Sequence, residues 1–76
     1  MPNPTADILT LSIAENEQFV EVGVYNLQGK HVLSATESFK GNNSGVINIE
    51  TLQPGLYIIK MVTKSGKNAT KKIEKI

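Results

Sequence analysis

One segment, from Leu52 to Val62, limits the fold that this sequence can adopt. It contains the turn-forming pair Pro54-Gly55, and the residues after this pair are aliphatic and aromatic over a length that suits a β-strand. Because residues 56–59 form an unbroken apolar run, we expect both faces of the strand to meet other protein. The segment predicts the central strand of a small all-β domain, with Leu52 capping its core before the turn.

Two earlier segments alternate as half-buried strands do. In residues 8–13 apolar side chains occupy every second position from Leu9 onward. In residues 19–25 the alternation is clearest, and it predicts the three valines on one face and Phe19 with Tyr25 on the other. Both segments therefore add strands to the predicted sheet.

Turn signals separate the remaining strands. Residues 26–29 and 64–67 predict hairpin turns in which Gly29 and Gly66 adopt positive φ. The last strand, about residues 68–76, has no strongly apolar face and is predicted to lie at an edge. No segment keeps an apolar helical period. Six or seven short strands, with turn signals about every 10 residues, predict a β-sandwich.

The return strand of the first hairpin is predicted over residues 30–36, but its register stays open. Either Val32 with Ser34, or His31 with Leu33 and Ala35, could face the core, because a shift of one residue exchanges the two faces. Residues 41–45 are polar and predict an open loop, and a short strand is expected to follow at residues 46–50.

The basic charge of the chain is concentrated at its C-terminal end. Residues 1–50 hold six carboxylates and two lysines, a net charge of −4, whereas residues 51–76 hold six lysines and one glutamate, a net charge of +5. Such an end can dock to an acidic partner, a nucleic acid or anionic lipid, but solvated strand faces and protected edges have the same composition. All eight cations are lysines, which disfavours nucleic acid because bidentate contacts favour arginine.

The residues give no support for catalysis. The chain has no cysteine and a single histidine, so a serine-based triad would need His31 and Asp7 together with a serine, and their spacing does not suggest one. We interpret His31 as an exposed strand residue beside a turn. Glu15 and Glu17 are too few for a metal site, and no glycine-rich phosphate loop is present. We predict that the chain is not an enzyme and uses no cofactor or metal.

The start of the chain does not read as a signal peptide. Residues 1–7 lack both a positive start and an apolar core, and no later run reaches transmembrane length. If the chain is exported, its inner-membrane address lies elsewhere. We therefore expect residues 1–76 to be a single domain cut from a larger secreted protein, with Met1 an added start residue.

Several short motifs occur along the chain in a recognisable order and spacing. The motif and structural positions are Pro2, Asn3, Pro4, Asp7, Tyr25, Asn26, Gly29, Leu52, Gly55, Tyr57 and Gly66, followed by a lysine-bearing end with Lys71, Lys72 and Lys75. Together these motifs resemble the type A C-terminal sorting domain of the type IX secretion system, also called the Por secretion system, of the Bacteroidetes, and the resemblance spans essentially the whole chain. One departure is Met1, since the family often has an aromatic residue just before this Pro-Asn-Pro.

The resemblance implies an address rather than a catalyst. It implies an Ig-like β-sandwich at the end of a secreted cargo, which an outer-membrane translocon reads and a sortase-like peptidase typically removes. The cargo would pass through the periplasm and reach the cell surface or the medium. The same resemblance leaves open which of the three C-terminal lysines matches the family's preferred position.

The motif residues divide by the role expected of them. We expect Gly55 to let the chain turn closely into the central strand, and Tyr57 to place its ring in the core with its hydroxyl at an edge. The lysines Lys71, Lys72 and Lys75 are expected to be exposed, which makes them candidates for direct contact with the secretion machinery. Self-association through the last strand is a further expectation.

The alternative is an Ig-like or fibronectin-like accessory module that binds carbohydrate or protein on an extracellular enzyme. Sandwich folds host many functions, so the fold does not exclude it. A binding module of this kind needs an exposed aromatic platform. The chain has four aromatic residues, and the core should claim several of them.

Overall fold

The computed structural model describes residues 3–5 and 7–76, with side chains from residue 7 onward. Seven strands form a five-stranded sheet, in the order β1-β7-β6-β3-β4, and a two-stranded sheet of β2 and β5. Every pairing is antiparallel except that of β1 with β7. The predicted all-β sandwich is confirmed. Its elements are β1 (Asn3–Thr5), β2 (Ile8–Ser12), β3 (Phe19–Asn26), β4 (His31–Ser34), α1 (Thr36–Phe39), β5 (Ser44–Asn48), β6 (Gly55–Thr63) and β7 (Asn68–Lys75).

The core lies between the two sheets and draws on nearly every strand. Ile47 comes from the two-stranded sheet, and Ile59 and Ile73 come from the five-stranded sheet; none of the three is more than 2% exposed. Leu52 is half-buried and packs against this cluster, as predicted. The buried apolar residues are Leu9, Leu11, Phe19, Val22, Val24, Ala35, Phe39, Ile47, Ile49, Tyr57, Ile59, Met61 and Ile73.

Strand β6 occupies the middle of the larger sheet, as its apolar run predicted. The expectation that both of its faces are covered is wrong. Its inward face carries Tyr57, Ile59 and Met61, all buried, whereas Leu56 on the other face is 38% exposed and Ile58 is only half-buried. The two-stranded sheet covers one face of the larger sheet, so the outer face of β6 has no layer above it among the described residues.

A β-bulge in β3 overturns the predicted assignment of faces at Phe19 and Val20, whereas Val22 and Val24 are buried on one face and Tyr25 is half-buried on the other, as predicted. The pairing of β3 with β6 shifts between Phe19 and Glu21, and the extra residue reverses the alternation at this point. Phe19 is consequently fully buried, while Val20 is 39% exposed. The Phe19 ring meets the Phe39 ring edge to face, with 4.9 Å between centroids and an interplanar angle of 82°.

The prediction that the last strand lies at an edge is wrong for its C-terminal part, residues 73–75, and holds among the described residues for residues 68–72. β7 pairs with β6 along its length and, near its C-terminal end, with β1 in parallel: Asn3 lies opposite Ile73 and Thr5 opposite Lys75. Pro4 lacks an N–H group, which the outermost strand of a sheet tolerates. A strand of three residues from the opposite end of the chain leaves almost no periodic signal in the sequence.

The return strand of the first hairpin is shorter than predicted and ends at Ser34. Leu33 lies opposite Val24 and packs against the core, which settles the open register, although a local irregularity leaves Val32 half-buried as well. The chain then forms the single helical turn α1, which the sequence did not signal. The hydroxyl of Thr36 accepts the Val22 N–H at 3.1 Å and so replaces the missing ladder bond.

The chain from residue 41 is also more ordered than the predicted open loop. Strand β5 begins at Ser44, two residues earlier than predicted, and Gly45 is part of it.

Among residues 3–5 and 7–76, no helix is long and apolar enough to cross a membrane.

Candidate functional site

The entry into β6 is held by a hydrogen bond from Tyr57. Its ring is buried, and its hydroxyl donates to the backbone carbonyl of Gln53 at 2.6 Å. This bond from a strand tyrosine back to the preceding turn is the arrangement called a tyrosine corner in immunoglobulin-type sandwiches. The expected placement of the ring in the core and the hydroxyl at its edge is confirmed.

Gly55 is needed for its backbone angle rather than for a close approach. Its φ is +150°, a conformation that side chains rarely adopt, yet an added Cβ would meet no atom within 4 Å. The expectation that Gly55 lets the chain turn into the central strand is confirmed by this backbone angle. The backbone conformation at Gly55 starts β6 directly after Pro54 and sets the distance that the Tyr57 hydroxyl spans.

The first hairpin is closed by Asn26. Its side-chain oxygen accepts the N–H groups of Gln28 at 3.0 Å and Lys30 at 2.9 Å, and its own N–H donates to the Lys30 carbonyl at 2.9 Å. Gly29 adopts a φ of +87°, as predicted. An asparagine at the turn start and a glycine at its end are thus matched to one turn geometry.

The second hairpin is fastened to the loop between β2 and β3. Gly66 has a φ of +91° and donates its N–H to the Thr63 carbonyl at 2.9 Å, which confirms the predicted turn. Ser65 Oγ donates to Glu17 Oε2 at 2.6 Å, and Lys67 Nζ lies 3.7 Å from the same oxygen. The Glu17 side chain is only 14% exposed, so it anchors the basic hairpin to the body of the domain.

The three C-terminal lysines are not equivalent. Lys72 is exposed and lies on the outer face of the larger sheet, beside Ile58. Lys71 is half-buried and lies on the inward face with Ile73. Lys75 is buried at 9% exposure, and its Nζ donates to the carbonyl of Ile76 at 3.0 Å. The expectation that all three are exposed holds only for Lys72, because the inward parity of β7 turns the stems of Lys71 and Lys75 toward the sandwich.

An aromatic and basic row crosses the outer face of the larger sheet. His31, Tyr25, Ile58 and Lys72 are consecutive cross-strand neighbours. The Tyr25 and His31 rings are 5.1 Å apart, and Lys60 Nζ lies 5.7 Å from the Tyr25 centroid. Tyr25 therefore lies on the outer face rather than in the core, and Ile58 separates it from the exposed Lys72.

The N-terminal motif is distributed around β1. Pro2 lies outside the described residues, whereas Asn3 and Pro4 form the start of β1. Asp7 is exposed, and its backbone carbonyl accepts the Ile49 N–H at 2.7 Å. Asn3 and Pro4 thus lie beside the end of β7, and Asp7 directly precedes β2 of the smaller sheet.

A family model described as the secretion system C-terminal sorting domain matches residues 1–75. The chain belongs to this family. No curated protein and no solved structure matches it. The sorting domain is the address that the type IX secretion system of Bacteroidetes reads, and its family is a family of secretion signals rather than of enzymes. The accessory-module alternative is not supported by this match.

At two further positions of the sorting domain, aromatic side chains leave little room for any residue but glycine. The sequence did not single out either position. A Cβ on Gly45 would lie 2.9 Å from the Phe39 ring. A Cβ on Gly23 would lie 3.2 Å from Tyr25 Cε1 and 3.3 Å from His31 Nε2. Neither glycine has positive φ, so no turn signal in the sequence could have revealed them.

The described residues include a concave surface and no metal-binding cluster. Among residues 3–5 and 7–76, no group of three or more acidic, histidine or cysteine side chains could hold a metal. A concave region lies over β3 and β4, lined by Glu21, Gly23, Tyr25, His31 and Ser34 among others.

Proposed function

We propose that this sorting domain ends a larger secreted protein and carries that cargo from the periplasm through the type IX translocon. A sortase-like peptidase then removes it, leaving the cargo on the surface or in the medium. The family match over residues 1–75 is the observation that carries the proposal. The domain's partners in this scheme are the translocon, the peptidase and the cargo domain at its N-terminal side.

The geometry of the motif residues supports recognition of a folded domain. Asn26, Gly29, Gly55 and Tyr57 each fix a turn or the start of a strand, and none of them presents a reactive group. A change at any of these positions should reduce export mainly by destabilising the fold. Recognition itself then falls to exposed side chains.

Lys72 is the best candidate for contact with the machinery. It is exposed, it belongs to the lysine-bearing end of the family motif, and it lies in the outer row with Ile58 and Tyr25. Lys71 is a weaker candidate because its stem is half-buried. Lys75 contributes to folding instead, since its ammonium group is bonded to the end of the chain.

The test is export of a reporter fused ahead of the domain and supplied with its own inner-membrane signal peptide. In a type IX strain, we expect the reporter to reach the surface or medium, and Lys72→Ala to reduce this export. The change should leave Tm within a few degrees, because exposed substitutions shift stability by about 0.5 kcal/mol or less.

Lys30→Ala is the matched control. Lys30 is exposed and precedes β4, on the far side of the sheet from β7. Its substitution therefore removes the same charge at a position distant from Lys72. Normal export of Lys72→Ala would remove the proposed contact. Failure of the unmodified domain to export the reporter would remove the proposed function as a whole.

A further inference from the structure

The outer side of β7 is only partly covered. Strand β1 pairs with Ile73, Glu74 and Lys75, and within residues 3–5 and 7–76 no strand pairs with this side of residues 68–72. We call residues 68–72 the open edge. All but Lys71 are exposed, and the segment is about as long as an average strand.

The hairpin fixes which backbone groups the open edge presents. The Thr63 N–H donates to the Lys67 carbonyl at 3.0 Å. Hydrogen-bonded and non-bonded pairs alternate along an antiparallel ladder, so Ala69 and Lys71 direct their N–H and C=O groups toward β6. Thr70, between them, directs both groups away from β6. It offers a donor and an acceptor to an added strand.

The same side of β7 already accepts one added strand. β1 lies along it in parallel, with Pro4 opposite Glu74. A strand added along the open edge would meet Lys71 on one face of the sheet and Lys72 on the other, because successive side chains point to opposite faces. Backbone pairing would supply affinity and the two lysines would supply selectivity.

The charge around the open edge is not neutralised by the described part of the chain. Near the open edge, one ion pair joins Lys67 Nζ to Glu17 Oε2 at 3.7 Å. Among the described residues, neither Lys71 nor Lys72 has a carboxylate at salt-bridge distance. The segment from residue 51 to 76 carries a net charge of +5. A second copy pairing through this edge would bring two such segments together, and like charges across a ladder are destabilising.

We propose that the open edge binds an extended acidic segment of another protein as an added strand. The lysines that repel a second copy attract such a segment, so one feature gives both selectivity and protection from aggregation. Assigning the acidic segment to the secretion machinery rests on the proposed function. The binding itself does not, because it can be measured on the isolated domain.

The test is titration of the isolated domain with a short peptide that alternates valine and glutamate, followed by NMR. We expect the Thr70 amide to become protected from hydrogen exchange and the shifts to concentrate on β7. A matched peptide with lysine in place of glutamate should bind at least about tenfold more weakly, and added salt should weaken binding of the acidic peptide.

Two variants locate the contact. Thr70→Pro removes an outward N–H without removing a bond to β6, and it should weaken the acidic peptide about tenfold. The double variant Lys71→Glu and Lys72→Glu should reverse the preference between the two peptides. If Thr70→Pro does not fold, as judged from core amide spectra, the charge reversal decides the matter.

Several outcomes would overturn the proposal. They are an absence of binding, binding that leaves the Thr70 amide unprotected, and an unchanged peptide preference in the charge-reversed variant. Protection of Thr70 without peptide, together with dimers in light scattering, would assign the edge to a second copy instead. Export of the fused reporter is scored separately, so loss of the edge proposal and loss of the sorting function remain distinguishable.

Discussion

Removing only the hydroxyl of Tyr57 should measure what the tyrosine corner contributes to the fold. The change Tyr57→Phe deletes the 2.6 Å bond to the Gln53 carbonyl and keeps the buried ring. An intramolecular hydrogen bond contributes about 1 kcal/mol net, within a range of about 0.5–1.5. Because Gln53 is exposed, water can partly replace the hydroxyl, so we expect a loss near 1 kcal/mol rather than above it.

This loss is large relative to the stability of so short a chain. At about 0.05–0.15 kcal/mol per residue, 76 residues give a total of roughly 4–11 kcal/mol. For a domain of this size, 1 kcal/mol lowers Tm by about 4–8 °C. Removing the ring as well, in Tyr57→Ala, should cost about 3–5 kcal/mol, which equals most of the stability at the lower end of this range.

Urea unfolding followed by circular dichroism is the appropriate assay, since a change in midpoint with an unchanged slope reports stability alone. Tyr25→Phe is the matched control, because Tyr25 is half-buried and its hydroxyl has no partner among the described residues. The reasoning fails if Tyr57→Phe is as stable as the parent, or if Tyr25→Phe loses as much. Reporter export by Tyr57→Phe should be normal in cool cultures and fall near its lowered Tm.

Two further substitutions test the turns and the core. Gly45→Ala should cost about 1–3 kcal/mol, because its Cβ would lie 2.9 Å from the buried Phe39 ring; an unchanged Tm would show that the ring moves freely. Asn26→Ala removes the acceptor of the Gln28 and Lys30 N–H groups and should cost about 1 kcal/mol, with faster hydrogen exchange at Lys30. Exchange at Lys30 as slow as in the parent would contradict the role given to Asn26.

Local chemistry explains why the turns were predictable from the sequence. Asn26 with Gly29, and Gly66 after Ser65, satisfy backbone groups a few residues away, and the structure places positive φ at both glycines. The central position of β6 was also predictable, since a long apolar run is typical of a strand that has another strand along each edge. The family resemblance rests on the same local motifs and on their order.

Contacts between distant segments explain what was missed. The bulge that buries Phe19 depends on pairing with β6, and the close approach of Gly45 to Phe39 depends on how the helical turn α1 packs. The two segments at opposite ends of the sequence meet as β1 and β7, so residues 73–75 of the last strand pair with another strand instead of lying at an edge. None of these contacts leaves a period in the sequence.

The sequence by itself determined most of the strands, the two hairpin turns and the membership of the family, because each depends on residues close together along the chain. Only the tertiary structure decided that Lys75 is buried while Lys72 is exposed. It also decided that the backbone N–H and C=O of Thr70 face outward, on the part of β7 that β1 does not cover. The physical reason is that burial and pairing are set by which strand lies alongside, and for β7 that strand comes from the other end of the chain.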